Sequence, residues 1–397
     1  MSNFDKIADL KAPFLAGTVA SITGTAASTG VVLAAFTALG ANQSQVSSAV
    51  FVSFICYGLL SMLLSWRYRM PLSIVWSTPG AAMLIGAGSL KLNFEVAVGA
   101  FLIAAILIAL TGLWPVLGRL VSSIPKPIAS AMLAGVIFNF CLAPFVSLAD
   151  FPKIVVPAVV VWLVLYKFAQ VWAAPAAMVV LFGLSAIYNP VTVSAANLIP
   201  SVSVTMPEFT LVGVFGLAIP LYIVTMASQN LPGVAIMKSF GYTVPFKPVM
   251  LATGLTAAST SVFGGYTLNL AAITAALNAN EQAHKDASRR WLAAFFGGVV
   301  YLAMSLALGP IVAFVLQTPK EIVLAAAGLA LMGTITNSLS AMVESASLRL
   351  PAVITFLVGA SGVVFFGIGS AFWALIAGLL VMVLLNGLKG LTKSSAN

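Results

Sequence analysis

The chain has 397 residues, of which 61% are hydrophobic and 7% charged, with a mean hydropathy of +1.10. That composition excludes a water-soluble globular domain, and the recurrence of uncharged apolar runs of spanning length indicates a polytopic helical membrane protein. The formal charge of +9 comes from 18 Lys and Arg scattered singly between those runs, which is the pattern of orientation signals and not of a nucleic-acid surface.

Fourteen spans are predicted: 12–38, 46–66, 71–90, 94–118, 126–148, 152–169, 171–189, 208–230, 247–261, 262–279, 290–316, 320–343, 351–367 and 370–390. The stretches 152–189 and 247–279 each read as one long span or two short ones, so a twelve-span count stays open. Ahead of the first span, Asp5 and Asp9 argue against a cleavable signal peptide. With the N-terminus inside, fifteen of the Lys and Arg fall on the cytoplasmic side and only Lys91, Lys153 and Lys320 opposite. The expectation is an inner-membrane, multi-pass protein with both termini cytoplasmic.

The first span carries a polar stripe, Thr18, Ser21, Thr25, Ser28 and Thr29, on one helical face. Close helix packing uses such residues, and so does a cavity wall. In the third span, Pro79-Gly80 interrupts Val75-Trp76-Ser77-Thr78-Pro79-Gly80-Ala81-Ala82. In the tenth, Gly264-Gly265 interrupts Ser261-Val262-Phe263-Gly264-Gly265-Tyr266. Ile124-Pro125-Lys126-Pro127-Ile128 resembles Thr318-Pro319-Lys320-Glu321-Ile322, and Trp114-Pro115-Val116 resembles Gly309-Pro310-Ile311, at offsets of 194 and 195 residues. An odd number of spans per half makes this a seven-plus-seven inverted repeat with matched broken helices, the pattern that marks a transporter's binding site.

In the eighth span, Val224-Thr225-Met226-Ala227-Ser228-Gln229-Asn230-Leu231-Pro232-Gly233 puts two amides and a Pro-Gly break inside an apolar run. It predicts an unwound turn whose amides face a ligand. Half-helix N-termini at Gly80 and Gly265 would offer N–H groups to an anion where no cation is available. Trp76, Phe263 and Tyr266 would offer a flat wall to an aromatic ring, or simply pack. Glu344 is expected to form an interfacial ion pair with Arg349 and not to relay protons. Cys56 and Cys141, both in apolar runs, read as packing thiols. His284 lies in a charged loop, so no metal site, cofactor or catalytic set is expected.

Several of these stretches resemble the benzoate–proton symporter family (BenE): Trp66-Arg67-Tyr68-Arg69-Met70-Pro71, Trp76–Ala82, Val224–Gly233, Ala271–Ala276, Arg290–Ala294 and Gly367–Trp373. The likeness runs along nearly the whole chain. It implies an architecture similar to nucleobase and sulfate permeases, all-α, with a core domain (1–122 and 206–317) moving against a gate domain (123–205 and 318–397). The implied function is secondary active import of benzoate or a similar aromatic carboxylate with protons, by an elevator-like mechanism. The site residues expected from residues and resemblance together are Thr25, Ser77, Thr78, Gly80, Gln229, Asn230, Phe263, Gly264, Gly265 and Tyr266. Partners are the carboxylate, protons, the lipid bilayer and, as one option, a second copy in a homodimer. Nucleobase permeases carry acids in their eighth and tenth spans; Gln229 stands near one such position and the tenth span has none. The alternatives are a nucleobase or inorganic-anion transporter, or an uncoupled facilitator or channel of the same fold.

Overall fold

A computed structural model describes residues 3–190, 199–366 and 368–386. Helix follows helix almost without interruption. In chain order they are α1 (Asn3–Ala38), α2 (Gln43–Tyr68), α3 (Thr78–Ala87), α4 (Phe94–Leu113), α5 (Pro115–Ser122), α6 (Lys126–Val146), α7 (Pro152–Phe168) and α8 (Gln170–Tyr188). After the connection come α9 (Leu211–Ser239), α10 (Phe246–Thr260), α11 (Ala272–Ala279), α12 (Trp291–Gln317), α13 (Lys320–Val343), α14 (Arg349–Ala360) and α15 (Ser370–Asn386). Among the described residues, eight helices are long and apolar enough to cross a membrane.

Two strands of two residues each, β1 (Ile74–Val75) and β2 (Asn269–Leu270), precede α3 and α11 and pair antiparallel, Ile74 opposite Leu270 and Val75 opposite Asn269. With 10 and 8 residues, α3 and α11 are about 15 and 12 Å long, half of a bilayer's apolar thickness or less. Each broken segment is therefore an extended piece followed by a half-helix. The ribbon lets the extended pieces satisfy each other's backbone groups where water is excluded.

Helix contacts fall into two groups. α2 and α1 pack on α12, and α4 packs on α10; separately, α6 packs on α13 and α14, α7 on α8, and α14 on α15. Glycines allow the closest approaches. A side chain on Gly17 would collide with the Ala293 carbonyl of α12, and one on Gly135 with the Phe356 carbonyl of α14. Such backbone-to-backbone packing is how membrane helices associate without a hydrophobic driving force. The two groups meet chiefly where α1 touches α13 and α8, and α3 touches α6.

The structure corrects three expectations. α9 does not break at Pro232-Gly233 but continues to Ser239. Its backbone widens into π-helical turns at Val214–Ala218 and Met226–Asn230. Each π turn stands just ahead of a proline, Pro220 and Pro232, which lacks an N–H and would clash with the carbonyl four residues back in a regular helix. Gly264-Gly265 opens no half-helix. Gly264, at φ 86°, closes the C-terminal end of α10, with Gly265 N–H donating to Thr260 O at 3.1 Å, a left-handed glycine cap. Glu344 pairs with Lys126 across the bundle at 3.0 Å, while Arg349 donates to the Val343 carbonyl. Cys56 and Cys141 are buried free thiols, as expected.

Candidate functional site

Between the two helix groups lies a cavity of about 370 Å³, within the range of small-ligand sites. α1 contributes Thr25 and Ser28, the β1–α3 segment Trp76 and Thr78, α9 Gln229, and α11 Thr274. Gln170 and Asn337, from α8 and α13, are exposed and form its rim. No Asp, Glu, His, Lys or Arg is among the described residues that line it.

One wall is aromatic. Phe54 and Tyr57 from α2, Trp76, and Tyr301 from α12 all reach the cavity. Their ring centroids lie 5.4–5.8 Å apart in edge-to-face or tilted pairs, contacts each contributing about 0.5–1.5 kcal/mol beyond burial. Trp76 is locked further, its indole N–H donating to Ser28 Oγ at 2.8 Å and Ser28 in turn donating to Gly24 O at 2.7 Å. The α1 polar stripe thus faces two ways: Ser28 orients the indole, while Ser21 donates to Gly297 O at 3.1 Å and fastens α12.

The opposite feature is a pair of helix starts. Thr78 and Pro79 bring the α3 N-terminus to the cavity, and Ala271 and Thr274 bring that of α11. α3 is capped from within the chain: Gly80 N–H donates to Ser77 Oγ at 3.0 Å. α11 is not, because its cap residue Ala271 has no side chain able to accept. Its first-turn N–H groups are free of intrahelical partners by helix geometry, and the buried Thr274 hydroxyl beside them has no partner. An uncapped helix start carries about half a positive charge and suits an anion.

Of the expected site residues, the structure brings Thr25, Thr78 and Gln229 together on the cavity. Ser77 and Gly80 stand directly behind it, Ser77 as the α3 cap and Gly80 where a side chain would meet Leu221 of α9 at 2.8 Å. Asn230 is fully buried behind Gln229 and accepts the Leu270 N–H at 3.0 Å. Phe263, Gly264, Gly265 and Tyr266 do not line the cavity. The Phe263 carbonyl accepts from Ser48 at 3.0 Å, and a side chain on Gly264 would meet Ala49 at 2.8 Å. Tyr266 packs edge-on against Phe36 and donates to Ser77 O at 3.0 Å. The half-helix start lies eight residues beyond Gly264, at Ala272. Sequence reasoning missed Thr274, Phe54, Tyr57 and Tyr301. A tyrosine inside an otherwise apolar span was the available signal for the last two, since its hydroxyl needs a reason to be there.

The model of the family described as benzoate membrane transport protein (BenE) matches residues 9–384. The chain belongs to that family. Inner membrane protein YdcO of Escherichia coli (strain K12) is 38% identical over 373 residues, covering 94% of this chain and 95% of that protein. The benzoate membrane transport protein of Acinetobacter baylyi (strain ATCC 33305 / BD413 / ADP1) is 33% identical over 354 residues, covering 87% and 89%. As a member of the BenE family, the chain is a membrane transport protein and not an enzyme. Its fold is similar to that of the transmembrane domain of the cyanobacterial bicarbonate transporter BicA, at a TM-score of 0.54 and 15% identity over 95% of this chain and 97% of that one. It is also similar to the murine anion transporter Slc26a9 in its inward-facing state, at 0.56 and 12% identity, over 93% and 68%.

Proposed function

We propose that this BenE-family protein imports benzoate or a closely similar aromatic carboxylate across the inner membrane, together with protons. The observation that carries the proposal is the pairing, in one cavity, of an uncapped helix start with a wall of aromatic rings. The carboxylate is held by the first-turn N–H groups of α11, the Thr274 hydroxyl and the Gln229 amide, with Thr25 and Thr78 alongside. The ring lies against Trp76, Tyr57 and Tyr301. Neutral donors suffice because each hydrogen bond to a charged acceptor contributes roughly 1.5–3 kcal/mol. The family description and the name of the Acinetobacter baylyi relative support the substrate class.

The proposed architecture is fourteen spans in a seven-plus-seven inverted repeat. A core domain (1–122 and 206–317) carries the substrate against a gate domain (123–205 and 318–397) in an elevator-like movement. Support comes from the two contact groups of helices and from the cavity's place between them. The charge bias supports both termini in the cytoplasm, with the rim at Gln170 then opening inward.

Uptake of labelled benzoate into proteoliposomes, with and without an inwardly directed proton gradient, tests the proposal. Accumulation above the bath concentration that collapses with the gradient is expected; no benzoate uptake at all ends the assignment. The uncharged cavity lining also favours a second reading, an uncoupled anion facilitator. It would equilibrate benzoate without accumulating it. Competition by benzoate, uracil and sulfate separates the substrate classes.

A further inference from the structure

Gln229 and Asn230 are adjacent in sequence but turn to different tasks around α9. We propose that Asn230 is a positioning residue: it clamps strand β2, and with it the start of α11, in register with Gln229. A two-stranded ribbon leaves outward N–H groups on both edges, and buried ones must be satisfied. Ile74 and Leu270, directly opposite each other, both turn theirs away from the ribbon. The Ile74 N–H donates to Ser61 Oγ of α2 at 2.9 Å, and the Leu270 N–H donates to Asn230 Oδ1 at 3.0 Å. The other end of the Asn230 amide is fixed as well, Nδ2 donating to Met226 Sδ at 3.3 Å within the π turn.

One turn further along α9, Gly233 makes the approach possible, since a side chain there would meet Leu270 Cβ at 2.9 Å. Only one residue separates Leu270 from Ala272, the first residue of α11. The clamp therefore sets where the open N–H groups of α11 lie relative to the Gln229 amide. The part of this assignment that concerns binding rests on the aromatic-carboxylate proposal above. Small misplacement of converging donors costs binding steeply, and supporting residues of this kind typically carry 10–100-fold effects.

The test compares Asn230→Ala with Asn230→Asp in the full-length protein, by hydrogen-exchange mass spectrometry of residues 266–271 and by calorimetric titration with benzoate. In Asn230→Ala, exchange at Leu270 should rise and benzoate affinity should fall, each by about tenfold or more. Asn230→Asp keeps an acceptor oxygen in place but adds a buried carboxyl beside an anion site, so it is read by exchange alone, where Leu270 should stay within about threefold of the parent. The proposal is overturned if Asn230→Ala exchanges and binds like the parent. It is also overturned if exchange quickens with binding unchanged, which leaves Asn230 a packing residue, or if Leu270 in a folded Asn230→Asp exchanges as fast as in Asn230→Ala. Should Asn230→Ala not fold, Asn230→Ser, one atom shorter, replaces it with the same expected result. If the parent itself does not bind benzoate, the substrate assignment fails, while exchange at Leu270 still decides the clamp.

Discussion

At the residue scale, the proposed site has no charged side chain among the described residues that line it. A carboxylate leaving water must recover its hydrogen bonds from groups already aimed at it, and the cheapest rigid donors in a membrane are backbone N–H groups at a helix start. Ala271 matters for what it lacks: a Ser or Asp there would accept the N–H groups that an anion needs, as Ser77 does for α3. Thr274→Val, nearly isosteric, and Gln229→Ala should therefore each weaken benzoate binding by about tenfold, measured by titration, with little change in thermal stability. Ala271→Asp should do more, abolishing binding by capping α11 and placing a like charge beside the substrate. Glu344 is a contrasting case. Its bond to Lys126 joins two side chains that are 62% and 70% exposed, so Glu344→Gln should change stability by less than about 1 kcal/mol and leave the proton dependence of uptake as it is.

At the element scale, the broken segments depend on where each helix is made to stop. Gly264 holds a left-handed conformation against Ala49. Gly264→Ala should cost about 1–2 kcal/mol in backbone strain alone and lower the melting temperature by several degrees in detergent. This is also where sequence legibility gave out. Apolar runs located the long helices well, and the interruption in 71–90 was visible because Pro79-Gly80 breaks an apolar run. A Gly-Gly pair is ambiguous, marking the end of one helix as readily as the start of another. Strands of two residues have no alternation to detect. Asn230 was misplaced for a geometric reason: adjacent residues on a helix diverge by about 100°, so two neighbouring amides rarely share a target. Of the aromatic wall only Trp76 was legible, because its four rings come from three separate segments and the other three look like ordinary packing in isolation.

At the scale of the whole molecule, α1 crosses the seam between the two helix groups at a glycine. Gly30 of α1 faces the Met178 methyl of α8 at 2.9 Å from where a Cβ would stand, with Ala326 and Ala327 of α13 next to it. The elevator-like movement proposed above would need such a close but yielding contact. Gly30→Ala can be absorbed by a shift of the flexible methionine, whereas Gly30→Val should wedge the seam. The expected signature is a benzoate uptake rate reduced by about tenfold with equilibrium binding within about twofold of the parent. Equal loss of both would place Gly30 in folding and not in movement.

The π turn at Met226–Asn230 makes α9 a helix with two phases. Upstream of it the helix packs on α3 and α4; downstream it packs on α11. The wide turn takes up one extra residue, so the residues that follow sit one position, or roughly 100° in sequence phase, behind where an unbroken α-helix would carry them. Deleting a single residue from 226–230 would let the wide turn close into regular α-helix with Gly233 still toward Leu270, whereas adding one there would find nothing to absorb it and would re-index the last turns. Gly233 would rotate away from Leu270, and a bulkier neighbour would take its place. In this helix, counting is as tightly constrained as chemistry.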